Sequence, residues 1–385
     1  MSGLERVILT TGGTGGHIFP ALALAGELQK VRPDIDILFM GGGRGPEGEL
    51  ARKAGLEFVA LPARGFSRNL ACMPALRDML RSLVQALGHI KKFQPQVVIG
   101  FGGYAGFAGV LAARLKGLPT AIHEQNVMPG MSNRILARLA RRVFLSLPDA
   151  GAFFDARKTE LTGNPVRAEI AALHERAKQK LAAPAAPAPG KDAGHILVLG
   201  GSQGARALNN ALIAMSGKLL DAGLTLTLQT GRDDYERVLA ACRELDADRL
   251  EIRPFISDMA DAYARADLIL CRAGASTLAE VCAAGLPSLL VPYPHAAHDH
   301  QRLNASALAA AGAARILEQE SFATAPDFLA QSLLDMLQDR ESLRTMSGGA
   351  LALARPEAAK SLAGAVLRLY EEDGSSPTFE GAPDA

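Results

Sequence analysis

Three times along the chain an apolar run ends in a glycine cluster and gives way to a helical pattern. The copies are LTTGGTGGHIFP at 9–20, VVIGFGGYAGFAG at 97–109 and ILVLGGSQGARALN at 196–209. Glycine loses more backbone freedom on folding than any other residue. The four glycines within residues 12–16 therefore cost stability unless the backbone must come close to something there. At a strand-to-helix turn that something is often a phosphate, held by the N–H groups of a helix N-terminus. Further apolar runs include IDILFM, GLPTAIH, LTLTLQ, DLILCR and LPSLLVP, with Ala/Leu-rich helical patterns between them. Runs that are apolar throughout read as strands buried on both faces. Separated by helices, they predict parallel sheets in α/β domains. Such open sheets bind ligands beyond the carboxyl ends of their strands, where the glycine turns fall.

A chain of 385 residues has length for two such domains with two cores. The segment LAAPAAPAPGKDAG, 181–194, cannot build a core and reads as an interdomain linker or an exposed loop beside one. Residues 357–372 read as one amphipathic helix and 373–385 as a disordered tail. A net charge of +1 supplies no global field, so no nucleic-acid partner is expected and any membrane attraction must be local. Cys72, Cys242, Cys271 and Cys282 form no CxxC pair and read as reduced, cytosolic cysteines. No signal peptide is legible, and no apolar run approaches the ~20 residues of a spanning helix. The expectation is a cytosolic protein, or one lying on a membrane without crossing it.

The glycine loops exclude two familiar chemistries. His17-Ile18 follow Gly16 where a P-loop needs Lys-Ser/Thr. Counted from Gly13, the dinucleotide fingerprint fails at Ile18, and the second loop fails at Ala105. The next strand ends in Met40-Gly41 rather than an acid for a ribose. The loops read either as tight turns packing helix on strand or as ligand cradles, with Thr14, His17, Tyr104, Ser202 and Gln203 as side chains able to face a ligand. At a helix N-terminus the macrodipole disfavours protonated His17, which suits a general base; alternatively, the imidazole caps its own helix.

Five motifs occur in order: GGTGGH near the N-terminus, HEQN at 123–126, TGNPVR at 162–167, GGSQGAR at 200–206 and CRAGASTLAE at 271–280. Each alone is weak. Together they closely resemble the MurG family of bacterial peptidoglycan glycosyltransferases, over roughly residues 5–370. The resemblance implies the GT-B fold, two Rossmann-like parallel-sheet α/β domains facing across a cleft. It places an acceptor and membrane domain at 1–163 and a UDP-sugar domain at 164–356, with helix 357–372 returning to the first. It implies inverting transfer of N-acetylglucosamine from UDP-N-acetylglucosamine to the C4 hydroxyl of lipid I, an undecaprenyl-diphosphate muramoylpentapeptide, giving lipid II. Work would be at the cytoplasmic face of the plasma (inner) membrane.

Residue by residue, the resemblance assigns Ser202 and Arg167 to the donor's diphosphate, Ile256 to uracil through its backbone, and the helix start Ala275, Ser276, Thr277, Leu278, Ala279 and Glu280 to the nucleotide. Glu280 would accept the ribose hydroxyls, and Gln301 would touch the donor sugar. Thr14, Gly15, Gly16 and Asn126 resemble the first domain's share of that site. Gly13, Gly102, Gly103, Tyr104 and Gly106 would hold the acceptor diphosphate. Inversion fits a single in-line displacement with one base. His17 is the first candidate; His123 is the second, and equally reads as a hydrogen-bonded core histidine. Glu124 reads as structural.

His295, His298, Asp299 and His300 are ligand types at a spacing that fits neither a helical HExxH nor a Cys/His finger, and they read as a polar loop. The pairs Asp34/Asp36 and Asp246/Asp248 are not placed for a metal–nucleotide complex. No metal site and no required cofactor are expected; magnesium can accompany the diphosphates without a dedicated cage. For the anionic membrane surface, Leu76, Met79, Leu80 and Leu83 fall on one helix face. Arg77 and Arg81 sit among them, with Arg64, Arg68, Lys91 and Lys92 nearby. The same spacing serves a core-facing stripe with solvated arginines. Two other functions share the nucleotide motifs: a GT-B UDP-N-acetylglucosamine epimerase, and a non-catalytic nucleotide-sugar-binding protein.

Overall fold

The computed structural model describes residues 3–43, 45–62, 72–183, 194–200, 205–323 and 325–373, the side chains of 72–74 and 323 aside. Its contacts divide the chain into two units, Met1–Pro165 with Glu357–Ala385, and Val166–Pro356. The Pro/Ala-rich stretch 181–194 thus falls inside the span of the second unit, and its residues 184–193 lie outside the described residues.

The first unit is built on strands β1 (Arg6–Thr10), β2 (Asp36–Gly42), β3 (Glu57–Leu61), β4 (Val97–Gly100), β5 (Thr120–Glu124), β6 (Arg142–Leu145) and β7 (Thr159–Leu161). They form one sheet in the order β3-β2-β1-β4-β5-β6-β7, with every pair parallel. Successive residues of the central strands face opposite cores. Val7, Leu9, Ile37, Phe39, Val97 and Ile99 join one cluster with Ile18, Leu24 and Leu28 of the helix Gly15–Val31. Ile8, Leu38, Met40 and Val98 join another, with Ala105, Ala108 and Ala112 of the helix Gly103–Leu115. Burial on both faces is why these strands are apolar without alternation.

The helix Ala358–Asp373 completes the first cluster through Leu362, Val366 and Leu369. Its end is pinned by Arg141 to Asp373 and by Arg142 to both oxygens of Glu372, at 2.8 and 2.7 Å. One guanidinium nitrogen of Arg142 spans both carboxylate oxygens, an exposed, charge-assisted contact.

The second unit carries β8 (Gly194–Leu199), β9 (Leu224–Gln229), β10 (Leu250–Arg253), β11 (Leu268–Cys271), β12 (Ser288–Leu290) and β13 (Ala314–Ile316), in the order β10-β9-β8-β11-β12-β13, again parallel throughout. In both sheets the strand order reverses next to the strand that opens the unit, between β1 and β4 and between β8 and β11. The crevice at such a reversal is where open α/β sheets take ligands. Among the described residues no helix is long and apolar enough to cross a membrane.

Candidate active site: two glycine loops, a histidine and a buried ion pair

In the first unit the loops after β1 and β4 lie side by side because those strands are paired. Their glycines are used chiefly on each other. A Cβ on Gly12 would stand 2.6 Å from the Cα of Gly103. Gly102, at φ +102°, makes room for the His17 ring, whose Cε1 would lie 3.0 Å from a Cβ there. Gly106 brings its helix close to the strand; a Cβ would reach 3.5 Å from the Thr10 carbonyl oxygen. That is an ordinary van der Waals contact, and Gly106 is buried in the first turn of its helix. The outward part of the loops is the exposed trio Gly13, Thr14 and Gly16, with Tyr104 also exposed and Gly15 buried. The helices Gly15–Val31 and Gly103–Leu115 both start without a side-chain cap and without an acid in the first turn. Two helix N-termini side by side, neither capped by its own N-cap side chain, favour an anion.

His17 is half-buried at this mouth, with Nδ1 3.1 Å from Gln125 Oε1. His123 is fully buried beneath it. Its Nδ1 is 3.1 Å from Gln125 Nε2 and its Nε2 is 3.0 Å from the Gly163 carbonyl. Burial pushes its pKa down to about 4, helped by charge at His17 and opposed by the Gly163 carbonyl. A ring with both nitrogens engaged below the surface supports the site instead of meeting substrate, so of the two histidine candidates only His17 borders the exposed loop.

The low value has a stability consequence. Unfolded His123 would take a proton near its ordinary pKa of 6.5, while the folded ring resists until about 4. Its contribution is present in full above 6.5 and is lost as pH falls toward 4, worth about 3 kcal/mol. In urea unfolding at pH 7 and pH 5, His123→Asn is expected to lose less stability on acidification than the parent. Equal losses would mean that His123 does not resist protonation in the folded state.

Glu124 is buried and accepts four neutral N–H groups: Asn126 N at 2.9 Å, Asn126 Nδ2 at 3.2 Å, Gly130 N at 3.2 Å and Asn133 Nδ2 at 2.9 Å. Burial raises its pKa and these donors pull it back. It is the post that orders the turn presenting Asn126. The sequence reading passed over Glu47, a fully buried carboxylate that has neither oxygen hydrogen-bonded, beside Gly13, Gly42 and Gly45.

In the second unit the loop after β8 includes Ser202 and Gln203, which lie outside the described residues. The loop after β11 opens the helix Ala275–Ala283, again with no side-chain cap and no acid in its first turn. Ala275, Ser276, Thr277 and Ala279 are partly exposed. Leu278 is not: its side chain is in the core and its N–H is bonded to the Gly274 carbonyl, which corrects its place among the ligand contacts.

Glu280 is buried and doubly engaged. Arg167 donates to its Oε1 from Nε at 3.2 Å and from a terminal nitrogen at 3.1 Å, and the Tyr263 hydroxyl donates to Oε2 at 3.0 Å. Burial raises the carboxyl's pKa, opposed by the Arg167 charge and the Tyr263 hydroxyl. A carboxylate has about four lone-pair sites, so three donors leave capacity for a hydroxyl. Tyr263, fully buried and aimed at this carboxylate, carried no sequence signal. The N–H of Ile256 is already given to Gln229 Oε1 at 2.9 Å, so a heterocycle reading that amide must displace the Gln229 side chain.

Gln301 Oε1 accepts the Tyr293 N–H at 2.9 Å. Buried Arg272 donates to the carbonyls of Val291 and Pro292, both at 3.1 Å, and its guanidinium lies 5.5 Å over the Tyr293 ring. These two residues fix the polar loop of His295, His298, Asp299 and His300. Among the described residues no group of three or more His, Cys, Asp or Glu could hold a metal.

On the outer face of the first unit, the helix Cys72–Phe93 exposes Leu76 (54%), Leu80 (55%) and Val84 (68%) in one row, with Arg77 and Arg81 exposed beside them. Met79 and Leu83 lean into the core, which corrects their placement in an outward stripe. Arg64 and Arg68 lie outside the described residues. Met131, Ile135 and Leu139 are also exposed, and Leu139 lines a depression of about 430 Å³. Arg114, Arg138, Arg141, Arg142 and Lys158 line it, with Glu372.

Known proteins share this plan. Residues 7–145 match the glycosyltransferase family 28 N-terminal domain and residues 195–362 its C-terminal domain. A UDP-N-acetylglucosamine--N-acetylmuramyl-(pentapeptide) pyrophosphoryl-undecaprenol N-acetylglucosamine transferase from Solidesulfovibrio magneticus is 51% identical, over 96% of this chain and 100% of that one. A crystal structure of MurG from Acinetobacter baumannii is 33% identical with a TM-score of 0.73, over 94% of this chain and 99% of that one. A UDP-GlcNAc 2-epimerase from Neisseria meningitidis, bound to UDP-GlcNAc, aligns with a TM-score of 0.67 at 15% identity, over 94% and 100% of the two chains, and shares the fold alone.

Proposed function

The chain belongs to the MurG family of N-acetylglucosaminyltransferases, and from that premise we propose that it transfers N-acetylglucosamine from UDP-N-acetylglucosamine to the C4 hydroxyl of lipid I, forming lipid II with inversion. The reading is carried by a likeness that spans both units at high identity, where the epimerase shares only a fold. In the step itself the acceptor O–H bond breaks as its proton passes to His17. The oxygen pair forms the bond to the donor's anomeric carbon, and the bond to the diphosphate oxygen breaks with its pair leaving on UDP.

The second unit is assigned the nucleotide: Glu280 the ribose, Ile256 the uracil, and Ser202 with Arg167 the diphosphate. Ser276 and Thr277 are assigned to the same helix start, and Gln301 to the sugar. A guanidinium has five N–H donors, of which Glu280 takes two. The first unit is assigned the acceptor diphosphate, at the helix starts around Gly13–Gly16 and Gly102–Gly106, where neither helix has a side-chain N-cap bond or an acid in its first turn. No cofactor is assigned; magnesium would travel with the diphosphates. Incubation with labelled UDP-N-acetylglucosamine tests the reading. Label moving to lipid only when lipid I is present supports it. Free epimerised sugar, or binding without turnover, would replace it with one of the two alternatives.

A lipid acceptor needs a membrane-facing surface, and we assign it to the cytoplasmic side, with the chain peripheral. Leu76, Leu80 and Val84 would enter the interface while the basic depression meets anionic headgroups. Changing these three to Ser is expected to weaken binding to anionic vesicles about a thousandfold, since each fully buried aliphatic contributes about 1.5 kcal/mol, roughly tenfold apiece. The Tm should hold, because the three are exposed. Met79→Ser should do the reverse. A triple variant that binds vesicles like the parent would contradict the placement.

A further inference from the structure

Gln125 lies just past the end of β5, 1% exposed, between the two histidines. Its amide can be oriented without ambiguity. Nε2 stands 3.1 Å from the Phe101 carbonyl oxygen and 3.2 Å from that of His123. Both are acceptors only, so an amide oxygen there would face two carbonyl oxygens, and the NH2 must occupy that end. Oε1 is then the atom 3.1 Å from His17 Nδ1. An amide oxygen cannot donate, so Nδ1 must carry the proton. His123 obeys the same logic. Its Nε2 faces the Gly163 carbonyl at 3.0 Å and must donate. Its Nδ1 is therefore the lone-pair nitrogen facing Gln125 Nε2 at 3.1 Å; of the two amide hydrogens one goes to the Phe101 carbonyl and the other is shared between the His123 carbonyl and this Nδ1. The chain of bonds has one direction: Gly163 carbonyl fixes His123, His123 and Phe101 fix Gln125, and Gln125 fixes His17. Gly102 seats the ring from the other side, with no side chain to displace it.

We infer that Gln125 is a positioning residue that locks His17 in the Nδ1–H tautomer, so that the basic lone pair is on Nε2. This rests on the reading that His17 is the base. On taking the acceptor proton, Nε2 becomes N–H and the imidazolium keeps its Nδ1–H on the Gln125 oxygen, so the charge forms against a dipole already aligned to it.

Two-bond 1H–15N spectra of the full chain labelled with 15N-histidine test this. The expected wild-type result is His17 protonated at Nδ1 and His123 at Nε2; His17 protonated at Nε2 overturns the inference, and this spectrum decides even if a variant fails to fold. Gln125→Leu should release His17 to a mixture of tautomers and lower kcat about tenfold or more with little change in donor KM. Gln125→Glu should keep the tautomer and most of kcat where Gln125→Leu loses both, since its outer oxygen must hold a proton to face the Phe101 and His123 carbonyls while its inner oxygen still accepts from Nδ1–H. A merely structural role would lower Tm and activity in the Leu variant while leaving the tautomer in place, and that result also overturns it. If the tautomer is as expected but His17→Ala turns over like the parent, the base assignment fails while the lock on the ring stands.

Discussion

His17→Ala is expected to lower turnover ~10²-fold or more while the affinity for UDP-N-acetylglucosamine stays within a few fold. The ring is half-buried at the mouth of two contacting loops, over a glycine that leaves room for it. Its removal opens space at the surface instead of a void in the core, so the fold should tolerate it. None of the residues that form the second unit's ion pair depends on it. Loss of a general base slows the chemical step without touching nucleotide recognition. Single-turnover transfer with lipid I, beside titration of the donor, separates the two quantities. Turnover at the parental rate would remove His17 from the reaction. A parallel collapse of donor affinity would place the nucleotide against the first glycine loop.

Glu280→Ala should do the opposite. On the proposed placement it removes the ribose's charged acceptor, which costs about 1.5–3 kcal/mol, or roughly ten- to a hundredfold in donor affinity. It also leaves a largely buried Arg167 without its carboxylate and a fully buried Tyr263 hydroxyl without an acceptor. Breaking a buried pair from one side costs about 3–5 kcal/mol, and the lower end applies because the arginine keeps some contact with water. Glu280→Gln retains an oxygen for Tyr263 and should be destabilised less. UDP titration and urea unfolding of both variants read the two effects. Unchanged affinity would contradict the ribose placement, and unchanged stability would contradict the weight given to the ion pair.

The centres of both sheets were legible because strands such as β1, β4, β8 and β11 are buried on both faces and read as unbroken apolar runs. The margins were not. β3, β7, β10 and β13 carry Glu or Arg and are partly exposed, so no apolar run announces them. β6 is short, and its three buried residues follow two arginines, the second of which opens the strand. Helical spacing placed Leu76, Met79, Leu80 and Leu83 on one stripe. It could not say which edge of the stripe faces out, and the exposed row proved to be 76, 80 and 84. The glycine loops were found for a reason that is only half of the one observed. Gly12 and Gly103 exist for each other, Gly102 for a histidine ring, and only the exposed amides beside them face outward. Gln125 and Tyr263 were passed over because a buried amide or phenol has no pattern of its own. Their meaning comes from partners that sequence distance conceals, 108 residues from Gln125 to His17 and 17 from Tyr263 to Glu280.

A single displacement with one base on the acceptor oxygen must invert the donor's anomeric centre. The configuration of the new linkage, read by NMR from lipid II made with 13C-labelled UDP-N-acetylglucosamine, is therefore the most direct measurement. A β linkage formed by the parent chain, and formed far more slowly by His17→Ala, is the predicted result. An α linkage, or a β linkage formed equally fast without His17, would contradict it.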